Sequence, residues 1–335
     1  MKVCIFGAGA VGGALAVRLH ESGIDASVVA RGAHGQAIRE RGLTLLAGGA
    51  TRSARVHCVE DPDDLGAQDV VFVTVKQTHL PAMAGALSRM QARGARLVFA
   101  MNGIPWWFAD ELPLPHKAAF VDQLDPGGVL RGAIDNTRAI GAVVMSSNEV
   151  VEPGVVVSTT PARNRIIMGN VIAQSDNRIA ELAALLERAG YGSWETPDIR
   201  QELWNKMVLY LAVSPISALT GLALDKLVAD PAGYAMMTAT MREALALGRR
   251  LGFDLADETD ERIGFYRDKP TRPSMLKDFE LGREPELASG VLVFDMIAKA
   301  LDQPAPHIAM IAALARLRFE SIRLHSPARS YGQSL

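Results

Sequence analysis

Residues 7–12 read Gly7-Ala8-Gly9-Ala10-Val11-Gly12, with Gly13 behind them and the apolar run Val3-Cys4-Ile5-Phe6 in front. Few short patterns restrict a fold as much as this one. In a G-x-G-x-x-G turn from strand to helix, the first glycine makes the tight turn and the second lets backbone N–H groups approach an anion. The third lets the helix pack close to the strand. The helix, predicted over residues 14–22, then aims its N-terminal dipole at that anion. Gly7, Ala8, Gly9, Ala10, Val11 and Gly12 are therefore candidate pyrophosphate-binding residues, and a dinucleotide is the expected cofactor.

The rest of the first half fits such a start. Short apolar runs at 26–30, 70–75, 96–100 and 117–121 alternate with helical patterns, as parallel βαβ units do. A β-rich stretch follows, with runs at 138–145, 154–160 and 165–168. Residues 176–189 then show helical spacing, with Asp176 as N-cap and Gly190 just past the C-terminus. Beyond Thr196-Pro197-Asp198 every apolar period is helical, with helices expected at 200–213, 232–251, 288–301 and 305–317. The expected architecture is α/β: a Rossmann-type, doubly wound N-terminal domain (residues 1–197), an all-helical C-terminal domain (198–325) and a polar, frayed tail (326–335).

Charge and cysteine content narrow the function classes. Lys and Arg total 35 against 37 Asp and Glu, which leaves no basic excess for a phosphate backbone, so no nucleic-acid partner is expected. Cys4 and Cys58 form neither a disulfide framework nor a C-x-x-C pair, which points to a cytoplasmic setting. The uncharged stretch 207–224 is interrupted by Pro215, Ser217, Thr220 and Gly221, and reads as two buried helices broken at Pro215 rather than a membrane span. No signal peptide is read at the N-terminus. The seven histidines are scattered without ligand spacing, so no metal is expected.

Several side chains stand where strand ends face a ligand crevice. The second strand ends in Arg31 with no acid beside it, which suits the 2′-phosphate of NADP better than the ribose hydroxyls of NAD. Lys76 follows the strand at 70–75, and Asn102-Gly103 follows the next one. In the second half, Lys206, Tyr210 and Ser214 recur at i, i+4 and i+8 and share a helix face. A lysine there either snorkels or faces a cleft as an acid. Ser274 reads as an N-cap and Glu286 as a first-turn acid, unless both serve a ligand.

Taken in order, these pieces resemble the ketopantoate reductases (2-dehydropantoate 2-reductases). The resemblance runs from residue 1 to about 317 through the glycine turn, Arg31, Val75-Lys76, Asn102-Gly103, Trp204-x-Lys206, Ser274-Met275-Leu276-x-Asp278 and Gly282-Arg283-x-x-Glu286. It implies NADPH-dependent reduction of a small 2-keto acid, foremost ketopantoate to pantoate in pantothenate and coenzyme A biosynthesis. It also implies that Lys206 is the general acid, that Glu286 binds the substrate hydroxyl, and that Ser274 helps hold its carboxylate. Lys76 and Asn102 would line the junction of nicotinamide and substrate. The family usually has asparagines where this chain has Tyr210 and Ser214, so a reductase of a different 2-keto acid is the alternative. A non-catalytic NADPH-binding sensor is a second one, opposed by the joint retention of Lys206, Ser274 and Glu286. The apolar helical second half is compatible with a homodimer seam and equally with core packing.

Overall fold

The computed structural model describes residues 1–112, 114, 117–173, 175 and 177–325. The expected Asp176 N-cap and the tail at 326–335 lie outside the described residues. The chain divides into two compact units. One comprises Met1–Asn102 and Gly128–Glu202; the other takes Gly103–Gly127 together with the chain from Leu203 onward. The main crossing between the units lies after Glu202, close to the expected boundary, and Gly103–Gly127, expected inside the first domain, groups with the second unit.

The first unit is built on an eight-stranded sheet. Its strands are β1 (Val3–Phe6), β2 (Ala26–Val29), β5 (His57–Val59), β6 (Val70–Val73), β7 (Arg96–Phe99), β8 (Ala139–Met145), β11 (Arg165–Asn170) and β12 (Gly192–Glu195). They run in the order β12-β11-β8-β7-β6-β1-β2-β5. From β5 to β8 neighbours are parallel, and β11 pairs antiparallel with β8. The order reverses at β1, between β2 and β6, which places a ligand crevice beyond the carboxyl end of β1. Buried on both faces, β1 and β6 read as unbroken apolar runs rather than alternating ones.

Helices α1 (Ala10–Glu21), α2 (Gly32–Arg41), α3 (Leu80–Ala92) and α6 (Ile179–Arg188) serve the same unit. α1 starts inside the glycine turn, earlier than the expected residue 14, because Gly9 is its N-cap. A second sheet has the order β4-β3-β10-β9, from β3 (Leu43–Ala47), β4 (Ala50–Ala54), β9 (Asn148–Glu152) and β10 (Val155–Ser158). Leu15, Leu19, Leu43, Leu45 and Val156 belong to one buried cluster with the main sheet's Ile5, Val28 and Phe72. Gly190 closes α6 with φ of 77°, as expected of a residue past a helix end. Both cysteines are buried and free.

The second unit is helical in its described residues. It holds α4 (Lys117–Leu124), most of α7 (Ile199–Thr220), α8 (Leu224–Ala229), α9 (Pro231–Arg250), α10 (Thr259–Gly264), α11 (Ser274–Glu280), α12 (Val293–Ala300) and α13 (Pro306–His325); a short α5 (Val129–Ala133) lies in the first unit. Two expectations are corrected here. Residues 117–121, expected as a strand, form α4: Lys117-Ala118-Ala119 favours helix, and Phe120 and Leu124 fall one turn apart. The sixth parallel strand is β8 instead. Nor does Pro215 break the helix; α7 runs through it for 22 residues. A proline costs its helix one hydrogen bond, and the burial of Leu211, Ala212, Val213, Ile216 and Ala218 around it offsets that loss. No helix among the described residues is long and apolar enough to cross a membrane.

Candidate active site

At the carboxyl edge of the first sheet, the ends of β1 and β6 are tied together. Gly7 leaves β1 with φ of 102°, and a Cβ there would meet Val75 Cγ1 at 2.6 Å. Thr74, just past β6, donates through Oγ1 to the Gly7 carbonyl at 2.5 Å. A Cβ on Gly12 would strike Ile5 Cγ2 at 2.8 Å, besides Gly7 O and Thr74 Oγ1. So Gly7 is required for conformation and Gly12 for close packing of α1 on β1 and β6. Gly9 differs from both. Nothing lies within 4 Å of where its Cβ would be, so the backbone faces open space at the start of α1. The helix has no side-chain cap there, and its first return bond runs from Gly13 N–H to Gly9 O. That leaves the N–H groups of Ala10, Val11 and Gly12 without intrahelical partners, a cradle of donors suited to a pyrophosphate.

Arg31 is the N-cap of α2 and is exposed at the end of β2. Lys76 lies two turn residues beyond β6, half-buried and extended. Gln77 Nε2 donates to the Asn102 carbonyl at 2.8 Å, fixing the chain just past β7. The expected cofactor residues therefore sit on consecutive strand ends of one edge. Thr74 and Gln77 were missed by sequence reading; only their position past a strand end marks them.

The other predicted residues gather in the second unit. Trp204 is fully buried and donates through Nε1 to the Ala244 carbonyl at 3.0 Å. It packs against Phe294 at 4.8 Å and Phe108 at 5.8 Å between ring centroids. Two residues on is about 200° around a helix, so anchoring Trp204 in the core turns Lys206 to another face. Arg262 of α10 grips the neighbouring Asn205 through its side-chain oxygen at 2.8 Å and its carbonyl at 2.7 Å. Lys206 keeps a little accessible surface, yet burial pulls its ammonium down from 10.5 to about 8, partly offset by the negative charge of Glu286.

One turn further, Tyr210 is held neutral. Burial, and then the negative charge of Glu286, push its phenol well above the ordinary range; Asp278 adds to this, and hydrogen bonding with Ser214 and Ser274 partly offsets it. Glu286 is 9% exposed and immediately precedes the helical turn that begins at Leu287. Residues Ala288–Leu292 then form a wide π-type turn. Within it, a Cβ on Gly290 would lie 2.8 Å from Tyr210 Cε1, so the phenol ring rests directly on a glycine backbone. Ser274 is the first residue of α11 rather than its cap, a place taken by Pro273. Lys206, Tyr210, Ser214, Ser274 and Glu286 thus share one neighbourhood, which combines one ammonium, one carboxylate and three hydroxyls. Asp278, singled out in the sequence only as part of the Ser274-Met275-Leu276-x-Asp278 motif and given no role there, joins it, and so does Gly290, which had no local signal. Among the described residues no group of three or more His, Cys, Asp or Glu could hold a metal ion.

Comparison with known proteins agrees across both units. Residues 3–171 match the model of the family described as "Ketopantoate reductase PanE/ApbA", and residues 198–319 match its C-terminal counterpart. A 2-dehydropantoate 2-reductase of Mesorhizobium japonicum is 35% identical over 94% of this chain and 97% of its own. A solved PanE/ApbA family ketopantoate reductase from Ralstonia eutropha JMP134 superposes with a TM-score of 0.81, at 26% identity over 96% of this chain and all of that one. D-mandelate dehydrogenase, solved with NADH and anilino(oxo)acetate, shares the fold at a TM-score of 0.81 and 17% identity, covering 96% of this chain and 99% of that one. With both halves matched in order and a relative aligned nearly end to end, the chain belongs to the ketopantoate reductase family, a family of oxidoreductases.

Proposed function

We propose that this chain reduces a 2-keto acid with NADPH in the cytoplasm, foremost 2-dehydropantoate to pantoate on the route to pantothenate and coenzyme A. The observation that carries the reading is Lys206: an ammonium whose pKa burial lowers to about 8, set among hydroxyls and one carboxylate. The cofactor half is supported by the open backbone at Gly9 and by Arg31 at the end of β2. When bound, the reduced nicotinamide supplies the hydride. As a carbonyl accepts it, negative charge grows on the oxygen, and Lys206 stabilises that charge and gives up its Nζ proton to it. With a pKa of about 8 the lysine regains its proton from neutral water between turnovers. Glu286 accepts a hydrogen bond from the substrate hydroxyl, and Ser274 donates to its carboxylate. Tyr210, kept neutral, remains a donor, with Ser214 orienting it. Arg31 pairs with the cofactor's 2′-phosphate, and Lys76 and Asn102 border its nicotinamide end.

The test is NADPH oxidation, followed by absorbance, on adding ketopantoate to the purified protein. A steady rate that disappears in Lys206→Ala supports the reading and rules out a sensor that only binds NADPH. A folded Lys206→Ala variant with an unchanged rate overturns the mechanism. A second reading, another 2-keto acid, is favoured by Tyr210, which with Ser214 stands where the family usually has asparagines. Its ring, seated on Gly290, adds bulk and offers one donor where an amide offers two. Ketopantoate turning over far faster than every other 2-keto acid tried defeats that reading.

A further inference from the structure

His34 is used by nothing in the chemistry above, yet its ring joins three segments of the first unit. Its own place is the first turn of α2, three residues past Arg31. Its Nδ1 receives the backbone N–H of Gly154 at 3.2 Å, from the turn between β9 and β10. Its Nε2 lies 2.8 Å from the carbonyl oxygen of Ala8, the residue between the first two glycines of the turn. A peptide N–H can only donate and a peptide carbonyl can only accept. The ring therefore accepts at Nδ1 and donates from Nε2, roles dictated by its two neighbours. Nor can the Gly154 end drift: with φ of 85°, a Cβ there would lie 3.3 Å from Gly42 O and 3.4 Å from Ala37 Cβ, so that turn is already packed on α2.

We propose that His34 is a positioning residue for the dinucleotide, locking the glycine turn to the helix that carries Arg31. The proposal rests on the reading of that turn as the cofactor site. A pyrophosphate and a 2′-phosphate belong to one molecule, so the spacing between their two cradles must be held before it binds. The Nε2–H bond to Ala8 is the only hydrogen bond that His34 makes to the glycine turn among the described residues, and the carbonyl it fixes precedes the open Gly9 backbone.

Two amide variants separate the ends of the bridge. His34→Asn keeps a group near Nδ1 that can accept from Gly154 and falls short of Ala8; His34→Gln reaches Ala8 with an N–H donor. NADPH dissociation constants from calorimetry are read beside thermal midpoints, KM and kcat. The expected result is about tenfold weaker NADPH binding in His34→Asn, the worth of about one hydrogen bond. KM for NADPH rises to match, while kcat at saturating NADPH is unchanged. His34→Gln recovers most of the affinity. Equal NADPH affinity in the two variants, or in His34→Asn and the unaltered protein, overturns the proposal. An unaltered protein that does not bind NADPH overturns the cofactor reading itself, and is told apart from the first failure by that single titration.

Discussion

Replacing Lys206 by methionine removes the charge while keeping an unbranched stem of similar length. At pH 7 the lysine is protonated both folded and unfolded, and only the folded chain bears the cost of holding an ammonium in a poorly solvated place. The fall from 10.5 to about 8, at about 1.4 kcal/mol per pH unit, puts that cost at about 3 kcal/mol. The Lys206→Met variant is thus expected to be about 3 kcal/mol more stable than the parent at pH 7, and inactive. The sign reverses nowhere, but the gap depends on pH. Between about 8 and 10.5 the folded lysine has released its proton while the unfolded one still holds it, so the parent gains stability as pH rises. Above 10.5 both are neutral and the gap has closed. Urea denaturation of both proteins at pH 7 and near pH 11 measures this directly, since other groups that titrate in that range cancel in the comparison. A variant no more stable than the parent at pH 7, or a gap that persists unchanged at high pH, refutes the reasoning that burial depresses this lysine.

The same lysine sets an activity profile: kcat/KM for the keto acid is expected to fall about tenfold per pH unit above about pH 8, as the general acid loses its proton. Glu286→Gln removes the charge that supports the ammonium, so that limb should move to lower pH; a limb that stays put or moves up contradicts the pairing. Gly290→Ala forces a Cβ to 2.8 Å from the Tyr210 ring. It should cost about 1–3 kcal/mol in thermal or chemical denaturation, most of it recovered in the Gly290→Ala, Tyr210→Asn double variant. Arg31→Ala should weaken NADPH by about 10–100-fold, as loss of a hydrogen bond to a charged group does, and leave NADH affinity unchanged in a parallel titration.

What could be read from the sequence was what local chemistry dictates. The glycine turn, its strand and its helix follow from backbone geometry within a dozen residues, so Gly7, Gly9 and Gly12 could be assigned distinct duties before any fold was known. Trp204-x-Lys206 was legible only through the family resemblance, since spacing alone left Lys206 either snorkelling or facing a cleft. Residues 117–121 were misread because a regular βαβ rhythm calls for a strand there; the chain instead leaves for the second unit and supplies its sixth parallel strand at β8. Pro215 was misread because its local penalty is visible in sequence and the burial that outweighs it is not. The seating of Tyr210 on Gly290 and the reach of His34 to Ala8 and Gly154 are long-range matches between single residues. No periodicity records them.

The detour of Gly103–Gly127 bears on how the protein is made. Trp106, Trp107 and Phe108 are almost wholly buried, and Phe108 stacks on Trp204. They leave the ribosome well before Leu203 and the helices that belong to the same unit. At about 5–20 residues per second, the roughly hundred residues from Trp107 to Trp204 take about 5–20 s to synthesise. For that interval Phe108 has no Trp204 ring to stack on, so a slowed ribosome prolongs the time this segment waits for the rest of its own unit.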